Sequence, residues 1–229
     1  MGALADIYDI PFYTYWEHHQ ACESVFHDIF VPDTCAVLPS NIESDKLTNK
    51  ALFASKEGSH PPDHYTPYIF DIDTRQNFLA MSRKRAQTLK LLPYLADQLA
   101  EFQETLPAGI IGVHVRRTDL AEKINRTTDP IVVKLDKLVV EEPDATFLLC
   151  TDDLIIVDIY QSRYKDRVFW RPKAMTYWQP KDHSKRTTSI EDAVIDLYAL
   201  ADTSRIIGTT SSSFSWYAAF KGDIPIERL

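Results

Sequence analysis

From Leu106 to the C-terminus, short apolar runs alternate with longer amphipathic stretches, and this alternation limits the fold more than any single motif. The runs 109–115, 146–150, 168–170 and 205–208 read as strands buried on both faces, since they lack the alternating polarity of a half-exposed strand. Between and after them, 131–142, 153–164, 190–201 and 213–220 read as helices. Strands and helices in this order require crossover connections, which predicts a parallel sheet layered with helices, an α/β sandwich. Ligands of such sheets sit at the carboxyl ends of the strands.

The first part of the chain has weaker periodicity and most of the proline breaks. Residues 16–30 suit an amphipathic helix, with Trp16, Cys22, Val25, Phe26, Ile29 and Phe30 roughly on one face and Pro32 closing it. A longer helix is expected from an N-cap at Asp73 or Thr74 to about Glu104, with Phe78, Met81, Ala86, Leu89 and Leu92 inward and Pro93 kinking or restarting it. The change of pattern divides the chain into residues 1–105 and 106–229. Length allows one large or two compact domains.

Several classes drop out. Six glycines, at positions 2, 58, 109, 112, 208 and 222, form neither a G-x-G-x-x-G fingerprint nor a P-loop. A net charge of −8 disfavours a large nucleic-acid interface. The N-terminus has no basic, apolar leader pattern, and no apolar run is long enough for a transmembrane helix. Cys22, Cys35 and Cys150 lack C-x-x-C spacing and fit reduced cytosolic thiols, although Cys22 and Cys35 are free to pair. No histidine falls in a zinc-binding spacing, so no metal site is expected. Asp71 and Asp73 form a D-x-D string, but Asp73 is accounted for as a helix cap. Arg83, Lys84 and Arg85 read as a solvated helix face, and of the aromatics only Tyr177-Trp178-Gln179, in a proline-bounded loop, stands out for stacking on a sugar.

Three polar clusters follow predicted strands. The first is His114-Val115-Arg116-Arg117-Thr118-Asp119, where two guanidinium forks suit the oxygens of a phosphate. The same arginines also suit an ion-pair cluster with Asp119 and Glu122, and His114 suits a hydrogen-bonded core position. The second, Thr151-Asp152-Asp153, fits either a ligand edge or a helix cap. The third joins Glu191, Asp192 and Asp196 on a helix to Gly208-Thr209-Thr210-Ser211-Ser212-Ser213, whose hydroxyls and helix N-terminus suit an anion or a simple N-cap.

Taken together, the order and spacing of these clusters over residues 106–220 resemble the GDP-fucose-dependent fucosyltransferases of the α1,6 type, with their α1,2 and protein O-fucosyltransferase relatives. The resemblance implies a GT-B-like fold: a Rossmann-like, nucleotide-sugar-binding parallel sheet in 106–229 and an abbreviated N-terminal half, 1–105, on the acceptor side. It implies an inverting, metal-independent enzyme that moves fucose from GDP-fucose to a glycan or protein hydroxyl, with GDP-fucose as donor substrate and no cofactor; the cysteine usage and the absence of a leader or spanning run add the expectation of a cytoplasmic or membrane-peripheral place. Arg116 and Arg117 would take the diphosphate and the charge of the leaving GDP, and Asp196 would accept from guanine N1 and N2. His114, Asp152 and Asp153 would line the pocket, Thr210, Ser211 and Ser212 would lie at the phosphate, and Asp119 would orient the arginines.

Two departures accompany the resemblance. Ile124 stands where relatives carry an acidic candidate base, so Glu122 or Asp119 is expected to take that part. The glycine-rich loop usual in the first half is missing. A transferase using another nucleotide sugar, or a non-catalytic nucleotide-sugar-binding module, are the alternatives these departures leave.

Overall fold

The computed structural model describes residues 28–31, 80, 83–84, 86–116, 129–175, 187–210 and 212–229. The chain divides into two compact units, residues 1–17 with 30–90 and residues 18–29 with 91–229. The segment just before the boundary expected after residue 105 thus belongs with the C-terminal residues. In the first unit, residues 83–84 and 86–88 are helical and Ala86 is buried, while the Lys90 carbonyl accepts from the Val31 N–H at 2.9 Å.

The long helix expected up to Glu104 is therefore interrupted at 89–92, and Pro93 restarts it as α1 (Pro93–Gln103). The residue before a proline is pushed to extended backbone, and Leu92 has φ −56° and ψ 148°. In the second unit α1 is tied down by buried Leu95, by Tyr94 Oη donating to the Glu191 carboxylate at 2.7 Å, and by the Gln103 amide donating to Asp202 at 3.0 Å. Of the helix expected at 16–30, residues 16–27 lie outside the described residues, and Asp28, Ile29 and Phe30 are not α-helical.

The second unit carries a five-stranded sheet of β1 (Ile111–Val115), β2 (Phe147–Thr151), β3 (Val168–Phe169), β4 (Ile206–Gly208) and β5 (Ile226–Arg228), in the order β3-β2-β1-β4-β5. Every adjacent pair is parallel, with Val113 level with Leu149 on one side and Ile207 on the other. All residues of β1, β2 and β4 are buried, which is why they read as uninterrupted apolar runs. β5, for which no sequence pattern predicts a strand, is a short edge strand whose Glu227 and Arg228 are exposed.

Helices α2 (Pro130–Glu141) and α3 (Leu154–Tyr164) pack with Ile111, Val113, Val115, Phe147 and Leu149 on one face of the sheet. Helices α4 (Ile190–Ala201) and α5 (Ser213–Gly222) pack with Leu148, Cys150 and Ile206 on the other. The two-residue period of β2 divides its side chains between the two cores. Local chemistry starts the helices: Asp129 and Asp153 each accept from the N–H two residues on, at 2.9 Å, and Ser189 accepts from Asp192 N–H at 2.9 Å. The expected α/β sandwich is the observed fold.

Candidate functional site

The chain runs from β1 outward to β2 and β3, then returns to β4 on the opposite side of β1. Strand order reverses there, and in open parallel sheets the crevice at the carboxyl ends beside such a reversal is where ligands bind. The residues that leave β1 and β4 at that edge are His114, Arg116 and the hydroxyl run from Thr209.

His114 is buried and stacks on Phe214 of α5, with ring centroids 4.9 Å apart and planes 24° from parallel. Its Nδ1 has no hydrogen-bond partner among the described residues. Burial brings its pKa down to about 4, with Arg116 and Lys173 acting in the same direction and Asp152 opposing, so the imidazole is neutral near pH 7. A neutral ring presents one donor and one acceptor.

Thr209 ties the two strand ends together. Its hydroxyl donates to the His114 carbonyl at 3.3 Å and accepts from the Arg116 N–H at 3.1 Å, while its own N–H donates to the same carbonyl at 3.0 Å. The path of the chain from His114 into Arg116 is thereby set by a side chain of the hydroxyl run that does not stand among the expected site residues. Thr210, exposed, donates its N–H to the Leu229 carbonyl at 2.7 Å.

At the start of α5, Ser212 is the N-cap residue, but its side chain makes no capping bond. Ser212 Oγ and Ser215 Oγ are both buried and without a hydrogen-bond partner among the described residues. Gly208 allows the helix to come this close, since a Cβ there would lie 2.7 Å from Ser215 Oγ and 2.9 Å from Ser215 Cβ. A buried hydroxyl without a partner is costly, and these two lie in the first turn of a helix, whose free N–H groups favour an anion.

At the end of β2, Asp153 spends its carboxylate on capping α3. The Asp152 carbonyl accepts from the buried Thr187 hydroxyl at 2.9 Å. Deeper on the α4 side lies an ionic cluster: Arg171 Nη2 meets Asp192 Oδ1 at 2.5 Å, Arg171 Nε lies 3.5 Å from Asp196 Oδ1, and Lys173 Nζ bonds Asp196 Oδ2. Burial pushes the Asp196 carboxyl up, and the Lys173 and Arg171 charges pull it back down. The Cys150 thiol faces the Asp196 carbonyl at 3.8 Å and is itself pushed up by burial.

The carboxylate expected to read a base is thus nearly enclosed and already engaged by two cations. Neither Arg171 nor Lys173 was singled out in the sequence, where they stand between predicted elements with no local pattern; the partner acids lie on α4. Phe214 likewise looked like any helical aromatic. Arg117, Asp119, Glu122, Ile124 and Ser211, with Tyr177-Trp178-Gln179, the D-x-D string, Cys22 and Cys35, lie outside the described residues. Among the described residues no group of acids, histidines or cysteines is arranged to hold a metal ion, and no helix is long and apolar enough to cross a membrane.

A parallel five-stranded sheet covered by helices on both faces, with a strand-order reversal beside β1, defines a Rossmann-like α/β layer of the kind found in GT-B-like folds. The chain is similar to NodZ α-1,6-fucosyltransferase co-crystallised with GDP, at 19% identity and a TM-score of 0.55 over 100% of this chain and 87% of that one. It is similar in the same way to NodZ soaked with GDP-fucose, at 17% identity and a TM-score of 0.56 over 100% and 87%, and to the NodZ fucosyltransferase of Bradyrhizobium, at 17% identity and 0.56 over 100% and 88%. At these identities the likeness is one of fold. No protein-family model and no curated protein matches the sequence.

Proposed function

We propose that this chain is a glycosyltransferase that moves fucose from GDP-fucose to a hydroxyl of a glycan or protein, with inversion and without a metal. The observation that carries the reading is the set of three buried polar atoms without partners, His114 Nδ1, Ser212 Oγ and Ser215 Oγ, beside the strand-order reversal. A nucleoside diphosphate supplies what that edge lacks: phosphate oxygens for the α5 N-terminus and hydroxyls, and hydroxyls and ring nitrogens for the imidazole. NodZ, which shares the fold, was co-crystallised with GDP and soaked with GDP-fucose.

In this reading Arg116 and Arg117 neutralise the diphosphate as the bond to fucose breaks, the charge stabilisation a metal would otherwise give. Thr209 holds Arg116 at its backbone so that little reorganisation is needed in the transition state. Inversion needs a base on the acceptor side to take the hydroxyl proton, and Glu122 or Asp119 fills that role. Asp196 reads the guanine, while Asp152, Thr210 and Ser211 border the donor. The chain acts in the cytoplasm or at a membrane surface, and needs no cofactor besides its donor.

A thermal-shift titration with GDP, GDP-fucose, UDP and ADP in the presence of a chelator tests the reading. GDP and GDP-fucose at one hundred times their dissociation constant should each add about 2.7 kcal/mol of stability. Arg116→Ala should remove most of that gain. Binding of GDP without release of fucose to any acceptor would leave the non-catalytic module, the reading that Ile124 favours. Stabilisation by UDP or ADP in place of GDP would point to another nucleotide sugar, and no stabilisation by any nucleotide would overturn a donor site at this edge.

A further inference from the structure

We propose that Lys173 is a specificity-determining residue of the donor site, its ammonium donating to O6 of a guanine whose N1 and N2 hydrogens go to the Asp196 carboxylate. This rests on the donor-site reading above and extends it to a residue outside every sequence cluster.

Lys173 follows the carboxyl end of β3, the same edge from which His114 and Arg116 emerge. Its side chain is 2% exposed and that of Asp196 8%, and the two are bonded. Two ions are expensive to bury, and a pair made only for stability is often matched by apolar residues of the same volume. Arg171 does not explain the lysine, because its Nη2 is already committed to the Asp192 carboxylate at 2.5 Å and the Asp192 carbonyl at 3.3 Å. Lys173 is hydrogen-bonded to one Asp196 oxygen, while Arg171 Nε lies 3.5 Å from the other. The Lys173 charge adds a minor contribution, after burial and Arg116, to holding the His114 imidazole neutral.

Side by side, an ammonium and a carboxylate form a donor–acceptor–acceptor edge. The exposed edge of guanine offers the complement: acceptor O6, donor N1–H and donor N2–H. Adenine has no donor for the second carboxylate oxygen, and uracil would turn its second carbonyl against it. An ammonium has three donors and each carboxylate oxygen two lone pairs, so the Lys173–Asp196 bond survives when a neutral base joins it. Neutrality of the pair also matters: Asp196 alone would be an uncompensated buried charge.

The test is calorimetric titration of wild type, Lys173→Met and Lys173→Arg with GDP, IDP and inorganic pyrophosphate. IDP keeps O6 and lacks N2, and pyrophosphate has no base. Lys173→Met is expected to weaken GDP and IDP by the same factor, about ten- to one-hundredfold, and to leave pyrophosphate unchanged. Lys173→Arg, which restores a donor, should recover most of the loss. Unchanged GDP affinity in Lys173→Met would overturn the assignment, and so would an equal loss of pyrophosphate, which would mark a purely structural lysine. If wild type binds none of the three ligands, the donor site itself fails; if wild type binds GDP and only the lysine pattern fails, the donor site stands and Lys173 has no part in it.

Discussion

His114 concentrates the physical chemistry of the candidate site in one side chain. Its folded-state pKa of about 4 lies below the ordinary histidine value, so the unfolded chain takes up a proton at a pH where the native protein does not. The sign follows directly: the group costs nothing above the ordinary value and destabilises the fold progressively as pH falls toward 4. Denaturant unfolding of wild type against His114→Gln should show wild type losing roughly 3 kcal/mol more between about pH 7 and about pH 4. Asp152, Arg116 and Lys173 act on the same imidazole. Equal pH slopes in the two proteins would mean that His114 is hydrated rather than enclosed.

Elements are positioned by contacts that are tighter than their sequences suggest. The end of α5 lies against the end of α4 so closely that a Cβ at Gly222 would be 1.9 Å from the Ala201 carbonyl oxygen. A carbonyl in a helix cannot swing aside as a side chain can, so Gly222→Ala must displace one helix. That substitution is expected to cost about 3 kcal/mol or more, read as a lower denaturation midpoint. Because α5 also carries Phe214 and Ser215 and starts from Ser212, the same variant should weaken GDP as well. A variant of wild-type stability would show that the two helices have room to slide.

For the second unit as a whole, the sheet order gathers one polar carboxyl edge from residues far apart in the chain. If GDP occupies that edge, hydrogen exchange with and without GDP should slow most at the carboxyl ends of β1 and β4 and in the first turn of α5. The edge strand β5 and the solvent side of α2 should change little, since ligand protection beyond global stabilisation is local. Uniform slowing throughout, or protection confined to α2, would place the nucleotide elsewhere.

Much of this fold is legible in the sequence because the signals are local. Buried parallel strands announce themselves as apolar runs, and Asp129, Asp153 and Ser189 mark helix starts within two or three residues of the N–H groups they cap. The helix 190–201 emerges with the same ends, and Pro93 divides the preceding helix as a proline must. What the chain does not declare along its length is β5, whose three residues are too few to set a period.

By itself, then, the sequence determined the alternation of strand and helix, the starts of the helices, and the placing of Arg116, Asp196 and the 209–213 hydroxyls just beyond or beside buried strands. Only the tertiary structure decided that β1 and β4 are neighbours, that Thr209 spans their ends, that Asp153 caps a helix, and that Lys173 bonds Asp196. The physical reason is range. Periodicity and capping act within a turn or two, whereas a charge finds its partner, and a hydroxyl its burial, only through the order in which the strands assemble.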